Sequence, residues 1–484
     1  MNRRNFLMSS LAGGLALASA ADRAFGAPQR PNVLWIMLDD CRPDALSCYG
    51  QPWAQTPNMD AIAAAGARFQ TAVTQCPICV PSRSSMKSAC YAHEVGKMSM
   101  GKPPESPPYA YHEASELPDL LRHWIGAGTQ PTCVGKVHAY HDDWVFEDRP
   151  RFREAERHSA GKTYPPVKLT THGWQIGGTT EVHPDDTQTA LIGEGALAQL
   201  DSLAAAGTPF FLRVSFHAPH VPIEVPPEFM VDPDSVKLPL PTQAELDSKP
   251  RFEREQLRVY AGTLDLTPAA LQIARGTYYG MVRHVDHEVG RLLAKLDALG
   301  LRENTIIAIN TDHGLQLGEH GLHKKRNFYE QTICSPLVIS MPGRIQPGTV
   351  VEEPVEMIDF LPTLLDLSGL AVPAGIRGQS LVPLMKGEGT ARDATFSEID
   401  HSGSMYDELR VNSGRRAMIR TREWKLIEFR DPRVAEKDGA LYDLKADPGE
   451  TVNLFASAEH QGVVETLEAR FAAWETETGY GSGA

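Results

Sequence analysis

No stretch of this 484-residue sequence is apolar enough, for long enough, to cross a membrane. The best candidate, Phe6 to about Ala20, is broken by Ser9, Ser10, Gly13 and Gly14 and falls short of the roughly 20 apolar residues a span needs. The sequence also lacks a paired CxxC…CxxC set with histidines, which removes the common structural zinc scaffolds. Its seven cysteines (Cys41, Cys48, Cys76, Cys79, Cys90, Cys133 and Cys334) are widely spread, and Cys76-Pro77-Ile78-Cys79 is a lone, weak CxxC. Positive charge is in deficit: 47 Lys and Arg against 61 Asp and Glu leave a net charge of −14. That argues against nucleic acid or an anionic membrane as a partner for the surface as a whole. An anionic substrate would have to be met by a local positive site. No internal repeat and no low-complexity tract is present, which excludes solenoids and linker-like chains.

What is present reads as a globular enzyme, with 42% hydrophobic and 22% charged residues and room for one large domain and a smaller one. Arg3-Arg4 ahead of the apolar stretch, with Ala18-Ser19-Ala20 as a small-x-small site, predicts a twin-arginine-type signal peptide and short linker over residues 1–27. The bland alternative is an uncleaved tail. Export would place the protein in the periplasm or outside the cell.

Asn32–Leu38 is a continuous apolar run, as a buried parallel strand requires. Further strand-like runs fall at Pro131–Val134, Pro209–Phe216, Thr305–Asn310 and Pro336–Ser340. Helical patterns fall at Thr56–Ala65, Ser115–Gly126, Asp185–Ala206, Thr267–Leu299 and Val355–Leu367. This alternation predicts an α/β fold, a large and mostly parallel sheet sandwiched by helices, over residues 28–375. A hairpin at Arg416–Thr421 and Trp424–Phe429, then a helix at Gln461–Glu477, predicts a smaller α+β unit over 376–484. Met98–His112 and Pro222–Pro250, rich in proline, read as surface loops.

The polar residues that follow the strands carry the chemistry. Asp39-Asp40, Gly135-Lys136-Val137-His138, His217-Ala218-Pro219-His220 and Asp312-His313 each come directly after a strand. In an open α/β sheet, ligands bind beyond the carboxyl ends of the strands. Asp-Asp alone is more often a solvated loop. Together with Asp312-His313 it makes a set of like charges that needs a cation, and hard divalent ions take oxygen ligands. Cys79, just before Pro81 as a possible first helical residue, would sit at a positive helix end, with Arg83 close by.

Cys79-Val80-Pro81-Ser82-Arg83 resembles the signature of the sulfatase family, C-x-P-S-R followed by x-x-L-x-T-G, with Met86, Ser88 and Ala89 in place of Leu, Thr and Gly. Other landmarks follow in the family's order. Thr56-Pro57-Asn58-Met59-Asp60 comes after the opening strand, and then the G-K-x-H element at Gly135–His138 and Pro219-His220-Val221-Pro222. Asn310–Gly314 with Leu317–Gly321 and Leu441–Leu454 complete the series. The likeness spans nearly the whole chain after residue 30. Tyr278-Tyr279 and Asp312-His313 are more similar to iduronate-2-sulfatase-like and choline-sulfatase-like members than to those carrying Asp-Asn.

The resemblance implies hydrolysis of a sulfate ester, on a substrate expected to be a carbohydrate. The nucleophile would be formylglycine (3-oxoalanine) made from Cys79 by a maturating enzyme. Asp39, Asp40, Asp312, His313 and the modified Cys79 would hold a divalent cation, Ca²⁺ by preference. Because His313 is a softer ligand than asparagine, Mn²⁺ or Zn²⁺ is the alternative. Arg83, Lys136 and Lys325, the last chosen by its spacing from Gly321, would surround the sulfate. His220 would act as general acid and His138 as base in a two-step displacement. His217, Glu319 and His320 are left between site and loop roles, and Arg415-Arg416 read as surface charge. Two rivals remain: a phosphonate monoester hydrolase or phosphodiesterase using the same cysteine, and a sulfated-glycan binder in which Cys79 stays a thiol.

Overall fold

The computed structural model describes residues 30–480 apart from 97, 99–118, 139–144, 147–160, 170–172, 239, 260–261, 401–414 and 430–436. The signal-peptide expectation and nearly all of Met98–His112 lie outside them. Alternation along Asn32–Leu38 builds the core. Leu34, Ile36 and Leu38 pack on one face with the helices Pro57–Ala64, Gln188–Ala206 and Pro268–Ala298. Val33, Trp35 and Met37 pack on the other with Leu121–Gly126 and Phe360–Leu367. A strand buried on both faces reads as a continuous apolar run for this reason. The expected helix at Val355–Leu367 begins late, after a two-residue strand, Val355–Glu356, and a 3₁₀ turn.

In the large sheet, Asn32–Leu38 is central, parallel to Phe211–Ser215 on one side and Thr305–Thr311 on the other. Pro131–Gly135 extends the sheet beyond Phe211–Ser215, in parallel. Cys334–Ser340 runs antiparallel to both Thr305–Thr311 and Ala67–Val73. Ala67–Val73 was not foreseen; Arg68, Gln70 and Thr71 interrupt its apolar pattern, and only pairing makes it a strand. The register sets the site. Leu38 pairs with Thr311, Met37 with Ser215, and Gly135 with Ser215, so four chain segments leave the sheet at one edge.

Gly135 permits one of these exits. Its φ is +98°, and a Cβ there would lie 2.2 Å from the Ser215 carbonyl oxygen, which accepts the Lys136 N–H at 2.8 Å. Gly135→Ala is therefore expected to lower stability by roughly 2–4 kcal/mol. It should also impair turnover by displacing Lys136 and His138. Wild-type denaturant midpoint and activity would contradict this.

Pro222–Pro250 is not a plain surface loop. Ile223, Val231 and Val236 are buried in the main core, and the chain crosses the long helix where Gly276 and Gly280 clear space. A Cβ on either glycine would meet the Val231 or Phe229 carbonyl oxygen at 2.5 or 2.8 Å. Toward the C-terminus, a four-stranded antiparallel sheet (Thr395–Asp400, Arg415–Arg420, Trp424–Phe429, Gly439–Asp443) packs with the helix Gln461–Thr478. Arg416 is not surface charge: it is 1% exposed, its guanidinium 4.9 Å from the Phe252 ring centre. Burial pushes it down to about 10. All seven cysteines are free thiols. Among the described residues, no helix is long and apolar enough to cross a membrane.

Candidate active site

Cys79 is the first residue of the helix Cys79–Ser88, with Ile78 as its cap; Pro81 is the third helical residue rather than the first. The helix is anchored by Ser82, whose hydroxyl donates to the Asp312 carbonyl oxygen at 2.7 Å. It ends at Ala89 in the left-handed conformation, φ +54°, where glycine carries no Cβ penalty. The family's glycine at this position thus has a backbone reason.

The Cys79 Sγ lies 3.5 Å from Asp39 Oδ1, 3.4 Å from His313 Nε2 and 3.0 Å from Lys325 Nζ. Arg83 reaches across with Nε 2.8 Å from Asp312 Oδ2 and NH2 3.5 Å from Asp39 Oδ2. Its NH1 donates to the Val137 carbonyl oxygen at 3.1 Å. Lys136 pairs with Asp39, and Lys325 Nζ is 2.5 Å from Asp40 Oδ1. His220 Nε2 is 3.9 Å from Asp40 Oδ2, and His138, at φ +49°, is near enough to Cys79 to lower its thiol. Every residue singled out for the site in the sequence is brought to this one pocket. Lys325, chosen on spacing, is among them.

The electrostatics follow from opposite charges packed without water. Burial would raise the Cys79 thiol, but Lys325, His313, His138 and His220 together hold it well below its ordinary value. Burial and Cys79 push Asp39 up, yet Lys136, Arg83 and His220 outweigh them and keep it below the usual carboxylate range. His313 is raised to about 9: burial works against its charge, and the Asp312 carboxylate prevails.

The donor set fits a divalent cation. Ligating atoms of Asp39, Asp40, Cys79 and His220 cluster within 4.8 Å of one another, as do those of Cys79, Asp312 and His313. Asp40 Oδ2 is buried with no hydrogen-bond partner among the described residues. His313 Nδ1 sits 3.0 Å from the Gly314 carbonyl oxygen, so its N–H donates there and Nε2 is left to face the pocket. Such outer hydrogen bonds set the tautomer of a ligating imidazole. A bound cation would displace the Nε2 proton.

The structure places four further residues whose roles the sequence left open. Tyr278 OH donates to the Asp40 carbonyl oxygen at 2.7 Å and fixes the strained turn at Asp40, φ +63°. His217 lines the pocket 4.0 Å from Asp39, lowered to about 4 by burial and Lys136. Glu319 belongs to a buried structural network, bonded to Arg42 at 2.8 Å and Arg275 at 2.6 Å. His320 pairs with Glu245 at 2.8 Å and stacks on Tyr329.

A buried cysteine ringed by cations and carboxylates at the strand ends of a helix-covered sheet is an arrangement suited to a hydrolase of anionic esters. Residues 31–370 match the sulfatase family, and the chain belongs to it. Residues 318–477 also match the C-terminal region of N-sulphoglucosamine sulphohydrolase. An arylsulfatase of Clostridium perfringens is 28% identical over 477 residues, covering 90% of this chain and 93% of that protein. An N-acetylglucosamine-6-O-sulfatase of Bacteroides thetaiotaomicron is 28% identical, covering 92% and 86%. A phosphonate monoester hydrolase of Agrobacterium radiobacter superposes with a TM-score of 0.77 at 25% identity, covering 93% of this chain and 96% of that one. The protein is a sulfuric ester hydrolase. Its family generally uses a divalent cation and formylglycine, and the pocket holds groups suited to an ion.

Proposed function

We propose that the protein removes sulfate from a sulfated sugar after export by the twin-arginine route, with Cys79 converted to formylglycine by a maturating enzyme. The observation that carries the reading is the Cys79 Sγ at a helix start, within 3.5 Å of Asp39, His313 and Lys325 together. The sugar is supported by the N-acetylglucosamine-6-O-sulfatase among the relatives.

Asp39, Asp40, Asp312 and His313 would hold the cation, Ca²⁺ in the first instance and Mn²⁺ or Zn²⁺ as alternatives. Bound there, it supplies Lewis acidity, and the modified side chain supplies a hydrated aldehyde as nucleophile. The remaining work falls to residues of the chain. Lys136 and Lys325 bind sulfate oxygens, and Arg83 adds positive charge beside them, its NH2 3.5 Å from Asp39 Oδ2. His220 Nδ1 is 2.8 Å from the Val221 carbonyl oxygen, so that nitrogen donates there and fixes the ring. Nε2 is then free to protonate the leaving alcohol. Burial lowers the affinity of His220 for its proton, but Asp40 more than restores it, which suits a general acid. Among the described residues His138 Nδ1 has no hydrogen-bond partner, while the ring faces Cys79, as a base for the second step would.

The test is a parallel assay of one aryl sulfate and the matching aryl phosphonate monoester, before and after chelation. The sulfate should turn over faster, with activity falling at least about 100-fold on chelation and returning with Ca²⁺. Faster phosphonate turnover would assign the protein to the rival chemistry. Activity indifferent to chelation would remove the cation from the reading.

A further inference from the structure

Lys324 sits beside Lys325 and has no role in the chemistry above. It belongs to a two-residue strand, His323–Lys324, paired with Gln316–Leu317, and holds a φ of +87°. A bulky residue at positive φ carries strain. Lys324 is only 3% exposed. Its ammonium lies 3.8 Å from the ring centre of Trp174, and among the described residues it makes no ion pair and no hydrogen bond. A cation–π contact is worth about 0.5–2 kcal/mol, less than the cost of a buried, uncompensated ammonium.

The charges that reach Lys324 are those of the pocket: Lys325 repels it, and Asp40 and Cys79 attract it. Burial and Lys325 push it down to about 7, against the pull of Asp40 and Cys79. Trp174, half-buried, adjoins the strand Gln175–Gly177, whose Gln175 carbonyl oxygen accepts the Ile223 N–H at 3.0 Å. The residue after Trp174 is thus paired with the segment that follows His220, the group assigned to protonate the leaving alcohol.

We infer that Lys324, set against Trp174, forms a subsite for a second anionic group on the leaving sugar, so that the preferred substrate is a sulfated sugar bearing a carboxylate or a further sulfate. This rests on the sugar-sulfatase reading and narrows it. Among the described residues no acceptor meets the Lys324 ammonium, and a second anionic group on the substrate would supply one.

The test uses full-length, mass-verified protein and three probes: a monosulfated N-acetylhexosamine, the matching N,O-disulfated hexosamine, and a sulfated uronic acid. Each is measured by its own hydrolysis and as a competitor of aryl sulfate turnover. Wild type should favour at least one doubly anionic probe. In Lys324→Met that preference should fall roughly 10- to 100-fold, the scale of a hydrogen bond to a charged group, with the loss in KM or Ki rather than kcat. Lys324→Arg should keep most of it. The two doubly anionic probes separate carboxylate from sulfate recognition. No preference in wild type, or the same preference in Lys324→Met, overturns the subsite. If no sulfate ester is turned over at all, the hydrolase reading fails instead, and calorimetric titration of both proteins with the disulfated hexosamine decides the subsite by itself.

Discussion

Alanine in place of Cys79 is expected to abolish sulfate-ester turnover, by at least about 10⁴-fold, the scale on which enzymes lose rate when their nucleophile is removed. The pocket would otherwise persist, since Ser82 and Arg83 tie the helix to Asp312. Serine should do little better. A single hydroxyl can accept sulfate once but offers no second oxygen from which to expel it, so Cys79→Ser should give one turnover at most. In the wild type, the tryptic peptide ending at Arg83 carries both Cys76 and Cys79. Its fragments should show the Cys79 residue lighter by about 18 Da, as expected for a thiol converted to an aldehyde. Cys76, whose thiol is pushed well above its ordinary value by burial, should be unchanged. Active protein with an intact Cys79 thiol would end the formylglycine reading.

Arg83→Met should produce the largest loss of stability. Arg83 is 3% exposed and stands between two fully buried carboxylates, Asp312 at 2.8 Å and Asp39 at 3.5 Å. Its own charge is favoured despite burial, because Asp312 and Asp39 surround it. Removing one partner of a buried pair strands the other, at a cost of roughly 3–5 kcal/mol. Arg83→Lys should recover only part of this, because an ammonium cannot span Asp312 Oδ2 and the Val137 carbonyl oxygen as the guanidinium does. Denaturant midpoints of chelated protein measure the effect without interference from a bound ion. A midpoint for Arg83→Met equal to wild type would show that Arg83 does not hold these acids.

The strands of the main sheet that are buried on both faces announced themselves, because nothing polar interrupts Asn32–Leu38 or Ile306–Ile309. Ala67–Val73 stayed hidden, since its polar residues break the run and its strand character comes from pairing with Cys334–Ser340. Local proline content made 222–250 read as a loop. The glycines of the long helix, distant in sequence, are what let that segment pack down.

The sequence alone determined which residue types stand at the strand ends and the order in which they come, which sufficed to mark Cys79, the acids and the cations as candidates for one site. Those are local properties: a residue that follows a buried strand must emerge at that strand's end. Only the tertiary structure decided that Leu38, Thr311, Ser215 and Gly135 are level in register, and so that Asp39, Asp312 and Lys136 meet. It alone separated Glu319, tied into a buried ion-pair network, from Lys324, which forms no ion pair among the described residues. Whether a charged side chain is paired or waiting depends on what other segments bring beside it, and spacing along one chain does not encode that.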